Sequence, residues 1–167
     1  MGRKRMVATL GYEELEPGDE WESPGRTITE ADVVQFAGVS GDFNPLHLDH
    51  DFARAGAFGR PVAHGLLGLA VASGLAAHAP KVATQAFLAI ESWRFVKPIP
   101  FGQTVRLLNR VQEVQPQARG RRARVVWSRR LVGPDGELFQ EGMVATLVAS
   151  CASLTASGSE GRDSDKS

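Results

Sequence analysis

Cysteine is almost missing from this chain: its 167 residues include one, Cys151. That excludes an intramolecular disulfide and a cysteine-cage metal site. A dominant sign of charge is missing too. Nineteen basic residues face 19 acidic ones, for a formal net charge of zero. Such balance argues against a protein whose main task is to hold nucleic acid or an anionic membrane. No hydrophobic signal segment follows the basic start MGRKRM, so the cytoplasm is the expected compartment. The start also fails as an acylation signal, because Met6 stands where a Ser or Thr is needed. No internal repeat is visible. One long apolar run occurs, AHGLLGLAVASGLAAHA at 63–79, which carries His64, His78 and the glycines 65, 68 and 74. It is marginal for crossing a bilayer, and a helix apolar on nearly every face is otherwise one buried inside a globule.

What is present is a hydrophobic fraction of 43%, enough for one substantial core and one domain. The layout predicts a basic lead-in at 1–8, a domain at 9–151 and a polar, disordered tail at 152–167. Thr29 is a candidate N-cap, followed by Glu30 and Asp32 in a first turn and by the apolar Val33, Val34, Phe36 and Ala37. Gly38 and Gly41 close that helix, and the stretch 51–59 suggests a second, brief one. After the apolar helix the period changes. Strands are expected at 86–96, 104–114, 122–132 and 137–150, with a Pro134-Asp135-Gly136 turn before the last. An apolar helix followed by antiparallel strands predicts an α+β fold in which the sheet curls round the helix and buries it. The exposed sheet edge of such a layer invites pairing with a second copy, so a homodimer is expected, with a higher homo-oligomer open.

Residues 40–49 read SGDFNPLHLD, a poor recipe for a helix or strand, yet they bring Asp42, Asn44, Pro45 and His47 together. Taken alone, the segment makes a good turn. With RPVAHGLLGLA at 60–70 it resembles the MaoC-like hydratases, the (R)-specific enoyl-CoA hydratases of the hotdog fold. The Asp-x-Asn-Pro-x-His core and the His64-Gly65 pair stand in that family's order and separation, and the likeness runs more weakly from about Tyr12 to Val148. The resemblance implies a hotdog fold, a homodimer and reversible addition of water to a trans-2-enoyl thioester of coenzyme A. Coenzyme A enters as part of the substrate, and no separate cofactor or metal is expected.

The same resemblance makes Asp42 and His47 the catalytic dyad. Asp42 would be the main base, with His47 sharing the water and the returning proton. Imidazole, with an ordinary pKa of ~6.5, suits that work. Gly65, near the helix start where backbone N–H groups lack partners, would hold the thioester oxygen. Asn44 would fix the loop or orient water, and Ser73, about 12 Å further along the helix, is a supporting residue. His64 is assigned to the substrate side, with packing or capping as its plainer role. His50 and His78 read as surface residues, and His47, His50 and Asp49 match no standard metal cage. The basic run 118–130 places Arg122, Arg124 and Ser128 on a solvated strand face, opposite Ala123, Val125 and Trp127. Arg54, Arg60 and Lys97 are candidates to meet coenzyme A phosphates, while Trp93, Phe95 and Trp127 read as core. Three other functions compete: a hotdog thioesterase, a hydratase of branched or dicarboxylic thioesters such as mesaconyl-CoA, and a non-catalytic acyl-binding partner subunit. The intact Asp42/His47 loop favours hydration over all but the second.

Overall fold

The computed structural model describes residues 9–153. The expected lead-in at 1–8 lies outside them, as does the expected tail apart from Ala152 and Ser153, which belong to a helical turn at 151–153. Two short strands, β1 (Glu20–Glu22) and β2 (Arg26–Thr27), precede helices α1 (Glu30–Ser40), α2 (Pro45–Leu48), α3 (His50–Ala55) and α4 (Gly65–Ala76). Four long strands follow: β3 (Thr84–Phe95), β4 (Thr104–Gln117), β5 (Arg122–Val132) and β6 (Leu138–Ala149). The sheet is antiparallel in the order β1-β4-β5-β6-β3, with β2 also on β4.

Local chemistry explains the boundaries. Thr29 caps α1 as its composition predicts: its Oγ1 accepts the Asp32 N–H, and the Asp32 carboxylate accepts the Thr29 N–H at 2.8 Å. That backbone bond, helped by the Thr29 hydroxyl and Arg26, holds the Asp32 carboxyl below the usual carboxylate range against the opposing effect of burial. Gly41 ends the helix at φ 77°, a left-handed backbone that costs a glycine nothing. Pairing runs β5 through Arg122–Val132, the stretch expected from alternation alone.

Helix α4 lies on the inner face of the sheet, with Leu67, Val71, Ala72 and Leu75 packed among Val105, Leu107, Leu131 and Phe139. A second cluster gathers Leu15, Val111, Ala123, Val125, Trp127 and Val148 toward the other end. Between them on the strands lie two buried polar residues, Asn109 and Arg129. The Arg129 Nε–H donates to Asn109 Oδ1 at 3.2 Å, and Asn109 Nδ2 donates to the Ala79 carbonyl at 3.0 Å. Burial pushes the Arg129 guanidinium down to about 10, so it stays charged at neutral pH. Arg129 thus corrects the solvated reading of the basic run: it shares strand parity with Trp127 and faces inward.

A further expectation is corrected. The apolar helix is buried on one face only. Leu66 is 60% exposed, and Ala70, Ser73 and Gly74 are open with it. Strand β3 is open in the same way, since among the described residues it pairs only with β6. Phe87, Leu88, Ile90 and Phe95 are each about half exposed along it. A helix that is apolar all round needs cover on both sides, and the sheet of this chain supplies one.

Candidate active site

The stretch 40–49 is less irregular than its composition suggests. Asn44 caps a single helical turn, its Oδ1 accepting the Leu46 N–H at 3.0 Å, and Pro45 occupies the first helical position. His47 therefore stands on α2, and the loop proper is Gly41–Asn44. Asp42 Oδ1 accepts the Asn44 N–H at 3.2 Å, which leaves Oδ2 to face His47 Nε2 at 4.0 Å.

The imidazole is fixed from behind. His47 Nδ1 lies 2.7 Å from the Val62 carbonyl, an acceptor only, so Nδ1 carries the hydrogen and donates it. In the neutral ring Nε2 then presents a lone pair toward Asp42. Two acceptors 4.0 Å apart have the spacing at which a single water could donate one O–H to each, since oxygen–acceptor distances of ~2.8 Å would subtend about 90°. The carboxylate side chain is 54% exposed and the imidazole 12%, so water reaches the pair from the Asp42 side.

A second histidine holds this assembly to α4. His64 is buried at 3% exposure, and its Nε2–H donates to the Asp42 backbone carbonyl at 2.9 Å. Its ring stacks on that of His47 with centroids 3.8 Å apart, and Phe36 packs against it at 5.2 Å. This geometry places His64 as a tie between the loop and the helix. His64 Nδ1 is buried and has no partner among the described residues. Donor atoms of Asp42, His47 and His64 lie within 4.8 Å of one another. Distance alone would admit an ion, but His64 Nε2 is occupied by the Asp42 carbonyl and Nδ1 is closed off. His50, weighed earlier for a cage, instead meets Glu30 at 2.8 Å.

Gly65 opens α4, where its N–H has no intrahelical partner. A cavity of about 230 Å³ is lined by Phe36, Asp42, His47, His64, Gly65 and Leu66. A neighbouring cleft of about 380 Å³ shares His47 and Gly65 with it and continues past Phe58, Val62 and Phe95 to Lys97. Asp42, His47 and Gly65 are thus brought to one space, with Asn44 as the cap that supports it. Ser73 is not brought there: it lies two helical turns on, on the open face of α4.

Phe95 leaves the core to which composition assigned it, being 54% exposed and lining the cleft, where a Cβ on Gly65 would lie 3.0 Å from its ring. Trp127 is core, 2% exposed, with its indole N–H on Thr146. Lys97 lies in the cleft wall but is paired with Glu137 at 2.7 Å, and Arg54 is paired with Asp51. Gln140, which sequence reading passed over, forms part of the cleft wall and donates to the Gly65 carbonyl at 3.0 Å. Its signal was available: a polar residue at an inward position of a strand otherwise lined by Gly142, Val144, Thr146 and Val148.

A family model described as "MaoC like domain" matches residues 14–128. The chain is 33% identical over 139 residues to the 3-hydroxybutyryl-CoA dehydratase of Methylorubrum extorquens, covering 83% of this chain and 85% of that protein. To Protein MaoC of Klebsiella aerogenes it is 38% identical over 96 residues, 58% of this chain and 29% of that protein. The chain spans less than two thirds of the length of that relative and of two others it matches. The unliganded R-hydratase of Pseudomonas aeruginosa superposes with a TM-score of 0.69 at 30% identity, over 85% of this chain and 86% of that one. A Mycobacterium tuberculosis protein with a double hotdog fold gives 0.75 at 20% identity, over 87% and 46%, and shares the fold.

Proposed function

The chain belongs to the MaoC-like domain family, and we propose that it is a hydro-lyase that adds water reversibly to trans-2-enoyl-CoA, giving (R)-3-hydroxyacyl-CoA. The observation that carries this reading is the pair of acceptors, Asp42 Oδ2 and His47 Nε2, 4.0 Å apart in a cavity shared with Gly65, whose amide has no partner among the described residues. Water donates one O–H to each. As its oxygen bonds to the β-carbon, Asp42 takes a proton and the alkene electron pair moves toward the thioester. The oxygen of that group gathers negative charge on the Gly65 N–H at the positive end of α4. Delivery of a proton to the α-carbon completes the addition, with His47 sharing the transfer, and one water is consumed per double bond. The (R) sense and the thioester substrate are supported by what the relatives are called.

A homodimer completes the reading. The open β3 edge, with Phe87, Leu88 and Ile90 about half exposed, and the open face of α4 are the surfaces that a second copy would cover. Light scattering on the eluting protein should give twice the 18.0 kDa chain mass. A monomer at micromolar concentration would remove this element of the proposal.

The activity is tested by offering short and medium trans-2-enoyl-CoA esters while following the conjugated-thioester absorbance and free thiol together. Hydration removes the absorbance without thiol release, and thiol release first would identify a thioesterase. Among the described residues no helix is long and apolar enough to cross a membrane.

A further inference from the structure

We propose that Gln140 and Trp93 form a clamp that positions the Gly65 amide, with Gln140 as the positioning residue. The inference rests on the hydratase reading above. Gln140 is 1% exposed on the inner face of β6. Its Oε1 accepts the Trp93 indole N–H at 3.1 Å, and its Nε2 donates to the Gly65 carbonyl at 3.0 Å. The orientation of the carboxamide follows from its partners: an indole N–H only donates, a backbone carbonyl only accepts, and so each end of the amide has one possible direction.

The clamp meets a specific need. Glycine at the first position of a helix leaves its amide open to substrate, but it is the residue least restrained in φ and ψ. At Gly65 the restraint comes from both sides. Before it the His64 imidazole is tied to the Asp42 carbonyl at 2.9 Å, and after it the Gly65 carbonyl is tied to Gln140. Two other glycines make room for this device. A Cβ on Gly68 would lie 2.2 Å from Gln140 Nε2, and one on Gly142 would lie 2.5 Å from Trp93 Cε3. A buried carboxamide amid Leu67, Leu131 and Phe139 is tolerated because both ends are bonded.

Two substitutions separate positioning from filling. Gln140→Leu keeps volume and removes both bonds, and kcat should fall about tenfold to a hundredfold with KM little changed, the effect expected of a misaimed oxyanion donor. Gln140→Glu keeps the shape and the Trp93 bond but sets an acceptor against the Gly65 carbonyl whenever the introduced carboxyl is ionised. Protonated, that carboxyl donates as the amide does. The kcat–pH profile of Gln140→Glu should therefore recover on its acid side, whereas that of Gln140→Leu should not. The recovery is read as a difference between the profiles of the two variants. The backbone ¹H–¹⁵N signal of Gly65 should show a step at the same midpoint, absent from wild type and from Gln140→Leu. A Gly65 signal indifferent to the introduced carboxyl, or wild-type kcat in Gln140→Leu, would overturn the clamp. A wild-type chain that hydrates no enoyl thioester would overturn the hydratase reading instead, and the Gly65 signal would still decide the clamp.

Discussion

Asp42→Asn is expected to lower kcat for enoyl-CoA hydration by about three to four orders of magnitude, at the upper end of what a general base supplies. The substitution is clean because little else depends on the charge. Asparagine keeps an Oδ1 to accept the Asn44 N–H, and the backbone carbonyl still accepts the His64 Nε2–H. The carboxylate side chain is 54% exposed, so the folded state gains little from it and thermal denaturation should be almost unmoved. What disappears is one of the two acceptors that grip the water. Steady-state kinetics beside a melting curve checks both halves, and an Asp42→Asn protein with near wild-type turnover would remove the catalytic assignment.

Gly142→Ala should do the reverse and strike stability. The added Cβ would lie 2.1 Å from the Ser92 carbonyl oxygen and 2.9 Å from the Trp93 Cα, both backbone atoms of the neighbouring strand. Strand β6 is held between β5 and β3, so it cannot step aside without breaking one ladder. Overpacking of this kind costs about 3 kcal/mol or more, which for a chain of this size lowers Tm by roughly 6–12 °C. Gly38→Ala is the matching control: a Cβ there meets nothing within 4 Å on α1, and alanine should stabilise the helix by about 0.5–1 kcal/mol. Denaturant titration of the two variants side by side tests the contrast, and a Gly142→Ala protein as stable as wild type would contradict the packing described.

Legibility of the fold in the sequence followed the reach of each signal. Alternation over many residues placed β5, and the capping chemistry of Thr29 and Asp32 placed α1, because both signals are local. The turn of helix at Pro45–Leu48 escaped, since four residues carry no period and breakers also serve as caps. Arg129 and Gln140 escaped for another reason. Each occupies an inward strand position that only distant partners make tolerable: Asn109 for one, Gly65 and Trp93 for the other. Phe95 was assigned to the core because its residue type says so, yet it lies at the end of an edge strand where cover from its own chain runs out. The convergence of Asp42 and His47 was legible as a motif, but the tautomer that aims His47 depends on Val62, fifteen residues on.

Phe95 stands at the end of the open strand and over Gly65, while Asp42 stands on the α1–α2 connection and His47 on α2. The surface that would meet an acyl tail and the atoms that would act on its double bond are thus built from different parts of the chain. On the proposed reading, substitutions at 95 should change acyl-length preference while leaving Asp42 and His47 as they stand.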